Sequence, residues 1–374
     1  MVVLKPKDKD GNIKRAETLR VWLKARRYLE GDVKKNPHLL SEGTVEDLSF
    51  EGFEEQMDEI KKDLQKEQIK TRDHIRAYKN LLRQDARADL MRDLIQESVS
   101  ALPKLTPESV KIYEPEEKAE AVLLFSDLHI GALVDNFFNK YNVEIARRRV
   151  REVIRQTIQY CKDTRVKKLH VLNLGDLIEN DLHITARLNQ EIDAVEQTMV
   201  ASEIMAEALV ELTNNIPVVT YRSCLDNHSR YTADIKQSKD EESLVKLIDW
   251  YLEERLKDTG LVFEHDNLDG HIGIFTLNNG EKFVFAHGHE IGVNESVQKY
   301  TAATYSYVRY IALGHWHSTR MKTFMNSKVF VNGSIKGLDE YAEKHGLFGE
   351  PEQTLLIFKG NTLVNITINL KDIN

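Results

Sequence analysis

Five polar clusters each follow an apolar run. They are Asp127 and His129 after "LLFS", Asp176 and Glu179 after "VLNLG", Asn227 and His228 after "TYRSCLD", His287 and His289 after "VFA", and His315 and His317 after "ALG". Carboxylate, amide and imidazole are oxygen and nitrogen donors. With no thiolate among them the set suits Mn, Fe or Zn and does not choose between the three. A lone histidine at a strand end is more often a satisfied core residue than a ligand. Five such clusters in one chain point instead to a metal centre. Two aspartates, one asparagine and four histidines make seven protein ligands, more than one open catalytic site takes. Two divalent ions sharing a bridging carboxylate accommodate them, and such a pair, about 3.5 to 4 Å apart, holds the attacking and leaving oxygens of a phosphoester.

For clusters so far apart in sequence to meet, the runs before them must be neighbouring strands. The β-rich runs "AVLLFSDLH", "KKLHVLNLGD" and "IPVVTYRS" alternate with helical stretches at about 143 to 162, 193 to 214 and 240 to 257, a β-α-β pattern that sets the fold class as α/β. After residue 260 the strands shorten, and Asn279-Gly280 marks a hairpin turn. Loops leaving the carboxyl ends of an α/β sheet gather at one edge, where ligands bind. Two residues apart on a strand end, Asp127 and His129 are expected to point the same way, as are His315 and His317.

Ahead of this body the texture is helical. Residues 14 to 30 carry Leu19, Trp22, Leu23, Tyr28 and Leu29 at helical spacing. Phe50, Phe53, Met57, Ile60 and Leu64 alternate steps of three and four, and the stripe returns at Ile75, Tyr78 and Leu82. With no Gly or Pro between Phe53 and Leu102, the stretch is expected to be mostly helix, long or hairpinned, packing on the body or pairing subunits in a homo-oligomer. The prolines of "ALPKLTPESVKIYEPEEKAE" end this module, giving an N-terminal helical domain over 1–115 and a metal-binding domain over 116–374.

Of 374 residues, 41% are hydrophobic, enough for a large core. No apolar run approaches the roughly 18 residues of a membrane span, and the N-terminal apolar segment is too short for a signal peptide, so a soluble cytoplasmic protein with no membrane partner is expected. Cys161 and Cys224 have no paired-ligand spacing and are expected to be buried, inert thiols. Residues 1 to 35 hold eleven Lys or Arg against five acids, a net of +6 that leaves −14 for the rest of a chain whose total is −8. A basic arm on an acidic body suits a phosphate backbone at one end and divalent cations at the other.

The series D-x-H, G-D-x-x-[DE], N-H, H-G-H and G-H-x-H, in order over residues 127 to 317, resembles the calcineurin-like metallophosphoesterases. The resemblance covers about 118 to 370 and implies a sandwich of two β-sheets flanked by helices. It also implies that Asp127, His129 and His317 hold one metal, that Asp176 bridges, and that Asn227, His287 and His315 hold the second. His228 would then be the catalytic histidine that contacts phosphate and protonates the leaving group, while Asn332 and Ser334 would be structural. The family has Gly before the Asn-His pair and Asp or Glu after it. Here Asp226 and Ser229 stand there, and Asp226 is expected to tolerate a left-handed backbone in glycine's place. Arg230 is expected to contact the substrate phosphate or to pair with Asp226, and His183 to line the cleft. His289 falls outside the ligand set.

Members similar to this motif set include the nuclease subunit of the prokaryotic double-strand-break repair complex and repair exonucleases carried by tailed phages. The resemblance thus implies a manganese-dependent phosphodiesterase or nuclease on DNA, intracellular and of phage type. Two readings stand beside it: a small-molecule or cyclic-nucleotide phosphodiesterase or phosphatase, and a catalytically weakened metal-bound scaffold.

Overall fold

A computed structural model of the protein describes residues 50–103, 105, 113–182, 184–265, 268–344 and 349–373. The basic arm, the expected helix over 14 to 30, His183, and the side chains of the Phe50, Phe53, Met57, Ile60 and Leu64 stripe lie outside the described residues. The chain divides into two units, Met1–Leu90 and Met91–Asn374. Helix α1, Phe50–Ala101, runs uninterrupted for 52 residues, so the expected helix is long rather than hairpinned. Along it Ile75, Tyr78 and Leu82 are exposed.

The second unit continues with β1 Glu116–Phe125, β2 Val134–Asp135, β3 Lys140–Tyr141, α2 Val143–Asp163, β4 Val166–Asn173, α3 Ile184–Leu188, α4 Ala194–Asn215, β5 Val218–Ser223 and α5 Leu244–Leu256. It ends with β6 Val262–Phe263, β7 Ile272–Thr276, β8 Lys282–Ala286, α6 Ser296–Ala303, β9 Tyr310–Leu313, β10 Arg320–Phe324, β11 Ser327–Val331, α7 Glu340–Lys344, β12 Glu352–Lys359 and β13 Thr362–Asn369. Three helices start where the sequence supplies a cap: the side chains of Asn142, Asp193 and Ser243 accept from the first free N–H groups of α2, α4 and α5.

The strands form two sheets, in the orders β13-β12-β1-β4-β5-β6 and β10-β11-β9-β8-β7. In the first, β1, β4, β5 and β6 run parallel and β12 pairs antiparallel with β1; in the second, β8, β9 and β11 run parallel. Period-two alternation divides the apolar side chains into layers. Val122 and Leu124 of β1 pack with Leu172, Phe283, Phe285, Phe330 and Leu356 between the sheets. Ala121, Leu123 and Phe125 face the other way, into a core with Val153, Ile204, Leu209 and Ile248 of the helices. On the far face of the second sheet, Val284, Ile311 and Val329 cover Val297 and Tyr300 of α6. The result is a two-sheet sandwich flanked by helices.

Both cysteines are buried, and burial pushes the Cys161 thiol up to about 12, which leaves it inert at neutral pH. The Asn279-Gly280 turn closes the β7–β8 hairpin, with Gly280 at φ 84°. Arg149 of α2 is fully buried. Its guanidinium donates to the carbonyls of Ile335, Lys336, Lys140 and Ile373 and to Asn139 Oδ1, which pins the loop after β11 onto the helix layer. Among the described residues no helix is long and apolar enough to cross a membrane.

Candidate metal centre

The carboxyl ends of β1, β4 and β5 in one sheet and of β8 and β9 in the other meet at one edge, and each of the five clusters leaves one of these ends. The backbone does not stay extended there. Asp127, His129, Asp176, His315 and His317 all take left-handed conformations, with φ of 56°, 50°, 53°, 69° and 51°. Side-chain alternation along a strand is therefore not what aligns Asp127 with His129; successive left-handed turns beyond the strand end do. Such turns cost about 1–2 kcal/mol per non-glycine residue. Hydrogen bonds offset that cost: Asp127 N donates to Gly175 O and His129 N to Asp176 O, while the Ser334 hydroxyl donates to Asp127 O. Gly175 itself has no alternative, since at its φ of +95° an added Cβ would lie 2.5 Å from Asp226 Cβ.

The donor atoms fall into two sets that share a carboxylate. Asp127, His129, Asp176 and His317 bring one donor atom each within 4.8 Å of one another, and so do Asp176, His287 and His315. His129 Nε2 and His317 Nε2 are 3.0 Å apart, and His317 Nε2 is 3.2 Å from Asp127 Oδ1. His287 Nε2 lies 3.3 Å from Asp176 Oδ2 and 2.9 Å from Asn227 Oδ1. An ion bonded at about 2.1 Å spaces adjacent ligand atoms by about 3 Å. Two imidazole lone pairs facing each other at such a distance also need a cation or a proton between them. The donor set and its spacing therefore fit divalent ions, with Asp176 common to both groups.

Neighbouring groups fix the imidazole orientations. His287 Nδ1 donates to Leu174 O at 2.6 Å, which leaves Nε2 for Asp176 and Asn227. His129 Nδ1 faces Glu179 Oε2 at 2.8 Å, so its Nε2 turns toward Asp176 and His317. A carboxylate behind a ligating imidazole holds its tautomer and raises its basicity. Glu179 in turn meets Lys336 Nζ at 3.3 Å, and Lys336 meets Asp339 at 2.8 Å. Lys336 is buried, and nothing in "GSIKG" announced it.

Burial alone would raise the Asp176 carboxyl, but His287, His228 and His129 hold it well below the usual carboxylate range. Burial and the Lys336 charge push His129 down to about 4, leaving a lone pair available at neutral pH. His287 goes the other way: burial would lower it, yet Asp176, Asp127 and Asp226 lift it to about 10. In the ion-free protein at pH 7 His287 thus carries a proton that a cation must displace. Ion binding at pH 7 is expected to release a proton, with affinity rising about tenfold per pH unit up to about 10. The folded value lies above the unfolded 6.5, so the stability due to this proton is full below 6.5 and lost as pH rises toward about 10. Titration calorimetry in buffers of different ionisation enthalpy reads the release, and a buffer-independent heat would exclude it.

His228 sits at the rim, its side chain one-fifth exposed. Its Nδ1 donates to Glu179 O at 2.7 Å, which directs Nε2 toward the cleft, 3.9 Å from Asp176 Oδ2. Burial would lower it, but Asp176 and Glu179 raise it above the ordinary imidazole value. Asp226 corrects two expectations. It does not take a left-handed backbone, and its carboxylate does not pair with Arg230. Asp226 Oδ2 accepts from Asp176 N at 2.8 Å and from the Ser229 hydroxyl, and Oδ1 accepts from Ser229 N at 2.6 Å. The pair that departs from the family pattern is a brace between the second and third clusters. Arg230 instead donates from Nε to Asn227 O at 2.8 Å. Asn332 and Ser334 bond to backbone and side chains around Ser126 and Asp127, as structural residues do.

Comparison with known proteins adds similarities of modest degree. No family model matches the chain. It is 26% identical over 267 residues to the SPbeta prophage-derived uncharacterized protein YonJ of Bacillus subtilis, covering 69% of this chain and 65% of that protein's length. Among solved structures it is similar to an archaeal phosphodiesterase at 12% identity and a TM-score of 0.35, over 66% of this chain and 99% of the other. A predicted phosphoesterase of Streptococcus pneumoniae gives 12% and 0.32, over 68% and 92%. Entamoeba histolytica Vps29, solved with Zn, gives 13% and 0.32, over 67% and 99%. What the site can do is therefore read from its own side chains.

Proposed function

We propose that the chain is a metal-dependent phosphoric ester hydrolase, a phosphodiesterase that cleaves DNA using two divalent ions, manganese foremost. The observation that carries this reading is the sharing of Asp176 between two sets of ligand atoms with His228 beside them. Two ions bound there would supply Lewis acidity to water and to phosphate oxygens. The residues do the rest. Asp127, His129 and His317, and Asn227, His287 and His315, are the two sets of ligands. Glu179 orients both His129 through its carboxylate and His228 through its carbonyl, and His228 Nε2 is placed to give a proton to the departing oxygen.

Support for a polynucleotide comes from the groove beside the centre. Trp316, between two ligands and 40% exposed, lines it with Arg320, Met321 and Lys322. An aromatic face takes a base and the cations take phosphates, a combination that a small phosphomonoester does not need. The test compares manganese-dependent hydrolysis of single- and double-stranded DNA, a chromogenic diester, a monoester and cyclic nucleotides. DNA and the diester are expected to be cleaved, and Trp316→Ala is expected to lower DNA cleavage about tenfold without touching the chromogenic diester, in line with roughly 1–3 kcal/mol per stacked base. Turnover of cyclic nucleotides or monoesters alone would favour the small-molecule reading, and no turnover with full metal content the scaffold.

A further inference from the structure

A second group of donors lies beside the seven ligands. His271, at the start of β7, and His289 and Glu290, past the end of β8, bring one donor atom each within 4.8 Å of one another. The β7–β8 pairing, Ile272 opposite Ala286, carries the two chain ends forward side by side, so this meeting follows from the hairpin. The His289 ring is 5.4 Å from that of His287 and 6.2 Å from that of His315, so the group adjoins the centre without sharing its ligands.

Two features distinguish the group from a chance surface cluster. His271 Nδ1 and His289 Nδ1 are both buried with no hydrogen-bond partner, although buried polar atoms are normally satisfied. His271 also has an acid behind it, with Nε2 3.1 Å from Asp240 Oδ2. A proton held on Nε2 by Asp240 leaves Nδ1 with a free lone pair, the arrangement in which a carboxylate sets the tautomer of a ligating histidine. Arg and Lys are absent from the three residues, and two imidazoles with one carboxylate is a donor set that zinc takes with water completing the coordination.

We propose that His271, His289 and Glu290 form a distinct site for one divalent cation of the zinc type, with Asp240 as the residue that positions His271. It stands next to the two-ion centre and separate from it, with the His289 ring beside those of His287 and His315. The site depends on its own three side chains and not on the phosphodiesterase reading.

The test is zinc stoichiometry of the full chain, by elemental analysis after gel filtration and by titration calorimetry, for the wild type, His271→Ala, Glu290→Gln, Asp240→Asn and Asp176→Asn. His271→Ala is expected to hold one equivalent fewer than the wild type, and Glu290→Gln to bind that equivalent at least tenfold more weakly. Asp240→Asn should weaken it about 10- to 100-fold. Asp176→Asn should keep the equivalent, so that adding His271→Ala to it removes one more. Glu290 is exposed, so its variant reports on binding even where His271→Ala loosens the fold. Unchanged stoichiometry and affinity in both His271→Ala and Glu290→Gln would overturn the site. If the two-ion reading fails, Asp176→Asn matches the wild type while the His271 difference remains, so the two failures are told apart.

Discussion

Replacing His228 by alanine is expected to lower manganese-dependent diester cleavage about 10²- to 10⁴-fold, the usual contribution of a positioned general acid. Metal content should stay at the wild-type value, because His228 lies outside the two donor sets that share Asp176, namely Asp127, His129, Asp176 and His317, and Asp176, His287 and His315. Structure sets the direction of the pH dependence as well. The proton needed for the leaving oxygen sits on His228 Nε2, since Nδ1 is already committed to Glu179 O. Asp176 and Glu179 overcome burial and raise the imidazole above its ordinary value of 6.5, so the active, protonated form persists to higher pH. Wild-type activity should therefore fall as pH rises through that raised value, and the limb should be missing from the residual activity of His228→Ala. His228→Asn, which keeps a polar group of similar size, guards against misreading a local collapse. Full cleavage by either variant would remove His228 from the chemistry and leave it a neighbour of the ligands.

Much of this site was legible because each polar cluster sits just past a strand that its own pattern reveals. Alternating apolar residues in β1, β4, β5, β8 and β9 fix both faces of the sandwich, and one sheet edge then collects whatever follows. Nothing in the local pattern, however, fixes what one strand end does for another. Asp226 looked like a substitute for glycine at a strained backbone position. Its task is long-range, accepting from Asp176 N in another loop. Left-handed turns at Asp127 and His129 were equally invisible, since neither residue type demands positive φ. Arg149 and Lys336 are the clearest losses. Arg149 is one of three consecutive arginines and Lys336 a single cation in "GSIKG", and only the folded chain shows the carbonyls and carboxylates gathered around each.

Replacing Lys336 by methionine is expected to be the most damaging of the changes outside the ligands, lowering stability by about 3–5 kcal/mol, as removal of one partner from a buried ion pair does. Burial would lower the Lys336 ammonium, but Glu179 and Asp339 hold it charged. Without it, Glu179 keeps a mostly buried charge with only the imidazoles of His129 and His228 beside it, while Asp339, about one-quarter exposed, recovers water. Removing that charge should restore part of the loss, so Lys336→Met with Glu179→Gln should be more stable than Lys336→Met alone; urea unfolding of the two proteins gives the comparison. The ligand set should respond too. After burial, Lys336 is the largest influence keeping His129 down at about 4, so its loss raises that value. A proton then competes with the cation for His129 Nε2 at a higher pH than in the wild type. Metal loading of Lys336→Met should therefore be weaker between about pH 5 and 6.5 and approach the wild type above that range, where His129 is neutral in both. Equal loading of the two proteins across that range would show that Lys336 supports the loop but leaves His129 untouched.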